Sequence, residues 1–573
     1  MKNFLIKLFI LSLLILSFHS CTQKNIRKEQ ANYVSADTSW KSMTLREKIG
    51  QTMIINCRIF HQGNLDTFLT KYPVGGFFLP DWYFKYYVPY DSIPFYIRQS
   101  IIKYQESSKT PLIFMEDFER GVGALYTQYT QMPVGMSLGA ARSEELAYNF
   151  EKSIALQAKS LGFNWLLHPV ADLNMNPLHA LVNERSVSDD PDIAVPLLIN
   201  QLNAIQGQGL VATIKHFPGD GVTMRDQHLI TASNTLSKKQ WKKTFGRVFQ
   251  ALIDEGAGAV MVGHITLPAF QNEKINGHYL PATLSHELID YLKNDMNFKG
   301  VVVSDALNMG GFSGYYENEL EASIESFKAG MDILLWPSLD FMDTLEARIL
   351  RNEIPVERLN DAVSRIWAVK DAFGLLAENR TLYKHIALSD AKFIENTADK
   401  IAENAITFVQ GDDPFIPLDT NHVKKILLVN LSQRDKSEIF KPTKEFFEKR
   451  GFVTDLQYGM SYFNWNWRWN ELLKYDRIII CIENKYQDPV GTPFFSGLQA
   501  ESVWSVNNLP REKMIVVSYS NPYYHKFYFE KIPVCINAYS SDIHTQEAVV
   551  KCLTGEIPFK GKSPVKLDHE IFK

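Results

Sequence analysis

The sequence has few of the features that mark zinc-binding or nucleic-acid-binding proteins. The 573 residues include only five cysteines, and none has the roughly two- to four-residue spacing typical of a zinc site. Positive charge is not in excess, since 60 Lys and Arg against 64 Asp and Glu give a formal net charge of −4. That balance excludes the basic footprint of a nucleic-acid-binding protein. No internal repeat or low-complexity segment is present, and no metal or cofactor is expected.

The N-terminus has the features of an export signal. Lys2 and Lys7 precede an apolar stretch at 8–18, which is shorter than the roughly 18 residues expected of a spanning helix. Ser20 and Cys21 follow it after the single residue His19, and this small residue before a cysteine resembles the lipobox of a bacterial lipoprotein. The resemblance implies that Cys21 is lipidated. An ordinary secretory signal with an incidental cysteine is the alternative.

We therefore interpret residues 1–21 as a lipoprotein signal peptide and the polar residues 22–39 as a tether. The mature protein is expected to be exported, periplasmic or at the cell surface, and attached to a bacterial membrane only through its lipid. The remaining cysteines are predicted to be buried free thiols, although a disulfide between two of the last three stays open. They are Cys57, Cys481, Cys535 and Cys552.

Residues 40–345 alternate short apolar runs with amphipathic stretches, which predicts an α/β fold with a parallel sheet. The predicted strands are 75–79, 112–115, 165–168, 211–215, 259–263, 300–304 and 332–336. Polar residues collect where these strands end, as at the catalytic face of a (β/α)8 TIM-type barrel. They are Asp81, Glu116, Asp117, Asp172, Lys215, His216, His264, Ser304 and Asp305.

The rest of the chain predicts a second, smaller unit. Residues 346–404 are interpreted as a helical connection, and residues 405–573 as a C-terminal α/β sandwich domain. The latter rests on three apolar runs, at 425–430, 477–482 and 514–518.

Four motifs, in order along the chain, resemble glycoside hydrolase family 3, in its β-N-acetylglucosaminidase branch. The most specific is KHFPGDG at 215–221, followed by Asp-Gln-His at 226–228. The others are the opening segment at 43–51, VSDALNM at 303–309 and AGMDILL at 329–335. The resemblance implies a TIM-type barrel followed by an α/β sandwich.

The resemblance also implies catalytic roles. Asp305 would be the nucleophile that forms a glycosyl-enzyme intermediate, and its alternative role is to cap a helix beginning at Ala306. His228 would be the general acid and base, with Asp226 as its orienting partner. An imidazole suits this role because both of its protonation states are accessible near neutral pH.

Substrate-binding residues implied by the resemblance are Asp117, Arg185, Lys215 and His216. Asp117 would bind hydroxyls at the non-reducing end of the sugar, which implies attack from chain ends. The sequence departs from the family pattern at Gln227, where Ser or Thr is usual. It also lacks a clear second arginine, because Arg120 is offset and Leu125 stands near the expected position.

These observations predict an exported, retaining exo-β-N-acetylglucosaminidase of the β-N-acetylhexosaminidase type, without a cofactor. Peptidoglycan fragments, in peptidoglycan turnover, or other glycans with terminal GlcNAc are the expected substrates. A β-glucosidase, a glycoside phosphorylase and a non-catalytic surface glycan-binding lipoprotein remain alternatives. A metal-dependent hydrolase is a further alternative, with His216, Asp226, His228 and His264 as its ligands.

Overall fold

The computed structural model describes residues 33–57, 64–179, 181–378, 380–411, 416–432, 438–459, 469–484 and 494–572. Its first unit is a closed barrel of eight parallel strands in the order β1-β8-β7-β6-β5-β4-β3-β2. The strands are β1 (Met53–Asn56), β2 (Gly76–Phe78), β3 (Ile113–Glu116), β4 (Trp165–Leu166), β5 (Val211–Phe217), β6 (Ala259–Val262), β7 (Val301–Ala306) and β8 (Ile333–Leu335). The predicted fold class is confirmed. The signal peptide, most of the tether and Cys21 lie outside the described residues.

The sequence interpretation missed one strand, β1. It has only four residues, all buried, and it follows the helix Leu45–Gln51 after the single residue Thr52. That helix begins with a capping box in which Thr44 and Glu47 satisfy each other's backbone N–H groups. No Gly or Pro separates the helix from β1, so the usual sequence signal of a new element is absent.

Helices surround the barrel, and two short strand pairs lie in its loops. The helices are Leu45–Gln51, Leu65–Lys71, Asp81–Phe84, Ile93–Ser107, Gly135–Ala141, Glu144–Leu161, Pro191–Gly207, Lys238–Lys243, Phe245–Asp254, His286–Asp290, Glu319–Ala329, Asp340–Leu350 and Val356–Ala372. The strand pairs are Ala232–Ser233 with Ile265–Thr266, and Lys274–Ile275 with His278–Tyr279.

A buried lysine lies at the amino-terminal end of the barrel strands. Lys370, on the helix Val356–Ala372, donates to Oε1 of Gln51 at 2.7 Å and to the carbonyl oxygen of Pro111 at 2.6 Å. Its side chain is fully buried. Burial lowers the pKa of the Lys370 ammonium to about 7, with a further contribution from the charge of Arg380.

The second unit is a six-stranded sheet in the order β9-β14-β13-β12-β10-β11, with β9 antiparallel to its neighbour and the others parallel. Its strands are β9 (Thr407–Gln410), β10 (Lys425–Ser432), β11 (Val453–Tyr458), β12 (Arg477–Glu483), β13 (Met514–Ser518) and β14 (Val534–Asn537). The helices of this part of the chain are Leu388–Ala405, Lys441–Lys449, Trp469–Leu472, Gly497–Asn507, Tyr524–Tyr528 and Ile543–Leu553.

The second unit contacts the barrel through an apolar cluster. Val134 and Met136 of the barrel pack with Tyr523, Tyr539 and Val565. Cys57, Cys481, Cys535 and Cys552 are all buried free thiols. Within the ranges described above, no helix is both long and apolar enough to cross a membrane.

Candidate active site

A cavity of about 950 Å³ opens at the carboxyl ends of the barrel strands. In the described part of the chain, every residue that lines it belongs to the barrel, between Phe78 and Trp336. Its charged and imidazole lining comes from the ends of four of the eight strands, or from the loops that follow those strands, β3, β4, β5 and β7. The charged and imidazole side chains are Glu116, Asp117, Glu119, Arg120, Glu184, Arg185, Lys215, His216, His228 and Asp305.

Lys215 is the centre of a network of charges in this cavity. Its Nζ lies 2.5 Å from Oδ1 of Asp117 and 2.7 Å from Oε1 of Glu119. Arg185 binds the same Glu119 carboxylate with two hydrogen bonds, of 2.7 Å from Nε and 2.6 Å from a terminal nitrogen. The side chain of Lys215 is 2% exposed, whereas that of Asp117 is 48% exposed. The hydrogen bond from the buried Lys215 therefore fixes Asp117, while about half of the Asp117 side chain stays exposed.

Lys215 and Glu119, which form an ion pair in this network, are both charged. Burial alone would disfavour the Lys215 ammonium, but the carboxylates of Asp117 and Glu119 outweigh it and raise the pKa of Lys215. Burial likewise opposes ionisation of Glu119, yet Arg185 and Lys215 hold the pKa of Glu119 well below its usual value. Such a site is expected to orient hydroxyl groups through charge-assisted hydrogen bonds.

Asp305 lies in strand β7 and is 8% exposed. Its Oδ1 accepts a hydrogen bond of 2.8 Å from the N–H of Ala306. Burial alone would raise the pKa of Asp305, but the nearby imidazoles, His216 first, and this N–H outweigh it and hold the pKa below its usual range. No helix begins at Ala306, and the next α-helix is Glu319–Ala329, so the helix-cap alternative for Asp305 is wrong.

His216 is held by a buried carboxylate. Its Nδ1 lies 2.6 Å from Oδ2 of Asp172, and the other oxygen of Asp172 accepts from the backbone N–H groups of His216 and Asp220. Asp220 in turn lies 2.8 Å from Nε2 of His179. Because Nδ1 of His179 accepts from the N–H groups of Leu181 and Val182, Nε2 carries the proton and donates it to Asp220.

Asp226 and His228 lie together on one tight turn. Oδ1 of Asp226 accepts from the backbone N–H of His228 at 2.9 Å and lies 2.8 Å from its Nδ1. The backbone oxygen of Asp226 accepts from Leu229 and Ile230, both at 3.0 Å. Asp226 is buried, whereas the side chain of His228 is 26% exposed and lines the cavity. The carboxylate thus fixes the orientation of an accessible imidazole.

All the predicted substrate-binding and catalytic side chains either line this cavity or contact a residue that lines it. Asp305, His228, Asp117, Arg185, Lys215 and His216 line it, and Asp226 supports His228. Arg120 and Leu125 both line it as well. Arg120 therefore supplies a guanidinium to the cavity from an offset position.

Glu119 was missed as a site residue by the sequence interpretation. It stands two positions after Asp117 in a segment rich in charge, and that density was the available signal. The aromatic walls were also missed, because nothing in the sequence distinguishes these rings from core aromatics. Trp82 and Phe118 line the cavity, as do Phe78 and Trp336, whose rings meet edge to face with centroids 5.1 Å apart.

The metal-ligand alternative fails on geometry. His264 uses Nδ1 with Oγ1 of Thr283 and Nε2 with the carbonyl oxygen of Ala306, and His216 is held by Asp172. Among the residues with described coordinates, no group of three or more His, Cys, Asp or Glu side chains is arranged to hold a metal ion. The four proposed ligands therefore do not converge on one point.

A barrel whose carboxyl face brings a carboxylate, an imidazole and a network of charged side chains to one cavity has the arrangement expected of a glycosidase. The model of the glycosyl hydrolase family 3 N-terminal domain matches residues 44–369, more than half of the chain. The protein belongs to glycoside hydrolase family 3 and is a glycosidase of β-linked glycosides.

Relatives cover most of the chain. A β-N-acetylglucosaminidase/β-glucosidase of Cellulomonas fimi is 30% identical over 483 residues, 80% of this chain and 84% of that protein. A solved β-glucoside phosphorylase, BglX, has a TM-score of 0.82 and 25% identity, covering 96% of this chain and 99% of its own. A family 3 β-N-acetylglucosaminidase from Paenibacillus sp. str. FPU-7 has a TM-score of 0.78 at 24% identity, covering 92% and 99%.

Proposed function

We propose that the protein is a retaining exo-β-N-acetylglucosaminidase. The observation that supports this most directly is the shared cavity of Asp305 and His228, which come from the end of β7 and the loop after β5. One group is an ionised carboxylate and the other is an imidazole oriented by a second carboxylate. These are the two groups that a double-displacement reaction needs.

In the first step, an oxygen of Asp305 attacks the anomeric carbon as the bond from that carbon to the leaving oxygen breaks. His228 gives its Nε2 proton to the leaving oxygen, while Nδ1 stays bound to Asp226. In the second step, His228 removes a proton from water, whose oxygen attacks the anomeric carbon and releases Asp305 as a carboxylate. Two inversions at one carbon retain the β configuration.

Asp117 supports the exo mode of action. Its carboxylate accepts a hydrogen bond from the buried Lys215, and its exposed part faces the cavity. We propose that this carboxylate binds two hydroxyls of the terminal sugar. A further sugar attached at either hydroxyl would clash with it. Cleavage then proceeds from the non-reducing end.

The test is a pair of substrates with one leaving group, 4-nitrophenyl β-N-acetylglucosaminide and 4-nitrophenyl β-glucoside. The soluble protein lacking residues 1–21 is expected to cleave the first with the higher kcat/KM, with and without chelator. A preference for the glucoside would assign the enzyme to β-glucosidases. Cleavage of neither, in a folded protein, would favour the glycan-binding lipoprotein.

A glycoside phosphorylase is the second candidate. An imidazole acid/base brings no negative charge that would repel phosphate, and the phosphorylase BglX matches nearly the whole chain. In that reaction phosphate replaces water in the second step. The sugar 1-phosphate would then be the product, and phosphate would accelerate turnover, whereas the hydrolase releases free sugar at a rate independent of phosphate.

We further propose that the mature protein is anchored through lipidated Cys21 and acts on peptidoglycan fragments or other glycans with terminal GlcNAc. This rests on Cys21 after Ser20 and on the preceding apolar stretch. Growth with a labelled fatty acid should label the wild type and not Cys21→Ala. Absence of label from the wild type, or equal label in Cys21→Ala, would contradict the anchor.

A further inference from the structure

Gln227, between Asp226 and His228, is hydrogen-bonded to the segment that follows the neighbouring strand β6. Its side chain is 1% exposed, and its Oε1 accepts a hydrogen bond of 2.8 Å from the backbone N–H of His264. His264 follows strand β6. The turn that carries His228 is therefore attached by a side-chain hydrogen bond to the neighbouring strand of the barrel.

The same turn is attached to the segment that follows Asp305. The backbone oxygen of Gln227 accepts from Gly311 at 3.0 Å, and that of His228 accepts from Gly310 at 2.8 Å. A Cβ atom at Gly311 would lie 2.5 Å from the Gln227 oxygen, so only glycine permits this approach. The two backbone bonds join the His228 turn to the loop after β7.

His264 completes the connection toward Asp305. Its Nε2 lies 3.0 Å from the carbonyl oxygen of Ala306, so Nε2 must carry the proton, and Nδ1 accepts from the hydroxyl of Thr283 at 2.9 Å. Burial lowers the pKa of His264, which keeps its ring neutral near pH 7. The ring is thus held in one tautomer, 0% exposed, between Gln227 and the residue after Asp305.

We propose that Gln227 and His264 are positioning residues that fix the His228 imidazole relative to the Asp305 carboxylate. Neither lines the cavity, so neither is assigned a contact with the substrate. Their contribution is to hold the acid/base at the distance that the leaving oxygen requires, since small misplacements of a catalytic group cost much of its effect. This inference rests on the proposed role of His228.

The experiment compares Gln227→Met with Gln227→Glu. Methionine matches the length of glutamine but cannot accept the His264 N–H, whereas glutamic acid keeps an acceptor oxygen even when protonated. kcat/KM is measured for aryl β-glycosides of the preferred sugar, from dinitrophenyl to unsubstituted phenyl. A fluorinated glycoside that traps the covalent intermediate gives the fraction of active sites, so partial misfolding is corrected.

Gln227→Met should lose about tenfold or more on the phenyl glycoside and much less on the dinitrophenyl glycoside, which needs little protonation. Gln227→Glu should recover most of the loss on the phenyl glycoside. His264→Phe keeps the backbone N–H and an aromatic ring but loses the ring N–H that donates to the carbonyl oxygen of Ala306, and it should behave like Gln227→Met. Equal loss of Gln227→Met across all leaving groups, or no recovery in Gln227→Glu, would overturn the proposal.

His228→Ala separates this proposal from the proposed function. If His228→Ala shows no steeper dependence on the leaving group than the wild type, the acid role of His228 itself fails. If His228→Ala is steeper and Gln227→Met is not, only the positioning role fails.

Discussion

A hydrogen bond of 2.5 Å joins Nζ of the buried Lys215 to Oδ1 of the half-exposed Asp117. The lysine lies in strand β5 and the aspartate directly after β3, with β4 between them in the barrel order. The bond therefore crosses the end of β4 and depends on the order of these three neighbouring parallel strands. The strand order of the barrel thus determines the position of Asp117, the proposed sugar-binding carboxylate.

Replacing this lysine should impair substrate binding. In Lys215→Met, Asp117 loses its charged partner and Glu119 keeps only Arg185, so we expect kcat/KM to fall by at least about tenfold, mostly through KM. Steady-state kinetics on the preferred nitrophenyl glycoside measure this. Lys239→Met, at an exposed helix position, is the control. A fall in kcat at constant KM would assign Lys215 to the chemical step instead.

Glu119→Gln should destabilise the barrel at neutral pH. The change leaves Lys215 and Arg185 without their shared carboxylate, which costs on the order of 3 kcal/mol for a buried pair. Because the folded pKa of Glu119 is depressed, its contribution is complete above the usual value of 4.5 and is lost as the pH falls through the folded pKa.

Thermal unfolding should therefore show a difference between wild type and Glu119→Gln at pH 7 that narrows below about pH 4.5. The exposed Glu445→Gln is the matched control. A difference that stays constant down to the acid limit would show that the charge of Glu119 does not stabilise the fold.

The two proposed catalytic residues should differ in their variants. Asp305→Ala should lower kcat by at least about 10⁴-fold on any glycoside, because the variant lacks the carboxylate assigned to the covalent intermediate. His228→Ala should retain substantial activity on dinitrophenyl glycosides and lose about 10²-fold or more on phenyl glycosides. Comparable activity of Asp305→Ala and wild type would exclude Asp305 as the nucleophile.

The stability of Lys370→Met relative to the wild type should be higher at pH 6 than at pH 9. The pKa of Lys370 is about 7 in the folded protein against 10.5 when unfolded, so the unfolded chain binds more protons between these values. Wild-type stability then rises with pH relative to the variant, by about 1.4 kcal/mol for each pKa unit of the shift at most. Thermal unfolding of both proteins across this range is the measurement, and a difference independent of pH would contradict a lowered pKa of Lys370.

The barrel was predicted well because seven of its strands are apolar runs, and polar residues follow six of these runs. β1 was missed because it is short and lacks a turn signal before it. The smaller sheet was also predicted from its strongest central strands, β10, β12 and β13. The edge strand β9 carries a weaker apolar pattern, with three of its four residues only partly buried.

Individual candidate site residues were predicted from the sequence, and Asp226 was paired with His228, but the other contacts among these residues were not predicted. Glu119 gains its role only when β3, β5 and the residues after β4 are brought together, and sequence spacing contains no such information. Likewise Gln227 first stood out as a departure from the family pattern. Its contact with His264 depends on the packing of the loops after β5, β6 and β7, which no local pattern encodes.

The most direct test is covalent trapping of the proposed intermediate. The protein is incubated with 2-acetamido-2-deoxy-5-fluoro-β-glucopyranosyl fluoride, digested, and mapped by tandem mass spectrometry. We expect inactivation of the wild type, with the mass of one fluorosugar on Asp305, and no label in Asp305→Ala. Label on another residue, or turnover of the reagent by Asp305→Ala at the wild-type rate, would contradict this expectation.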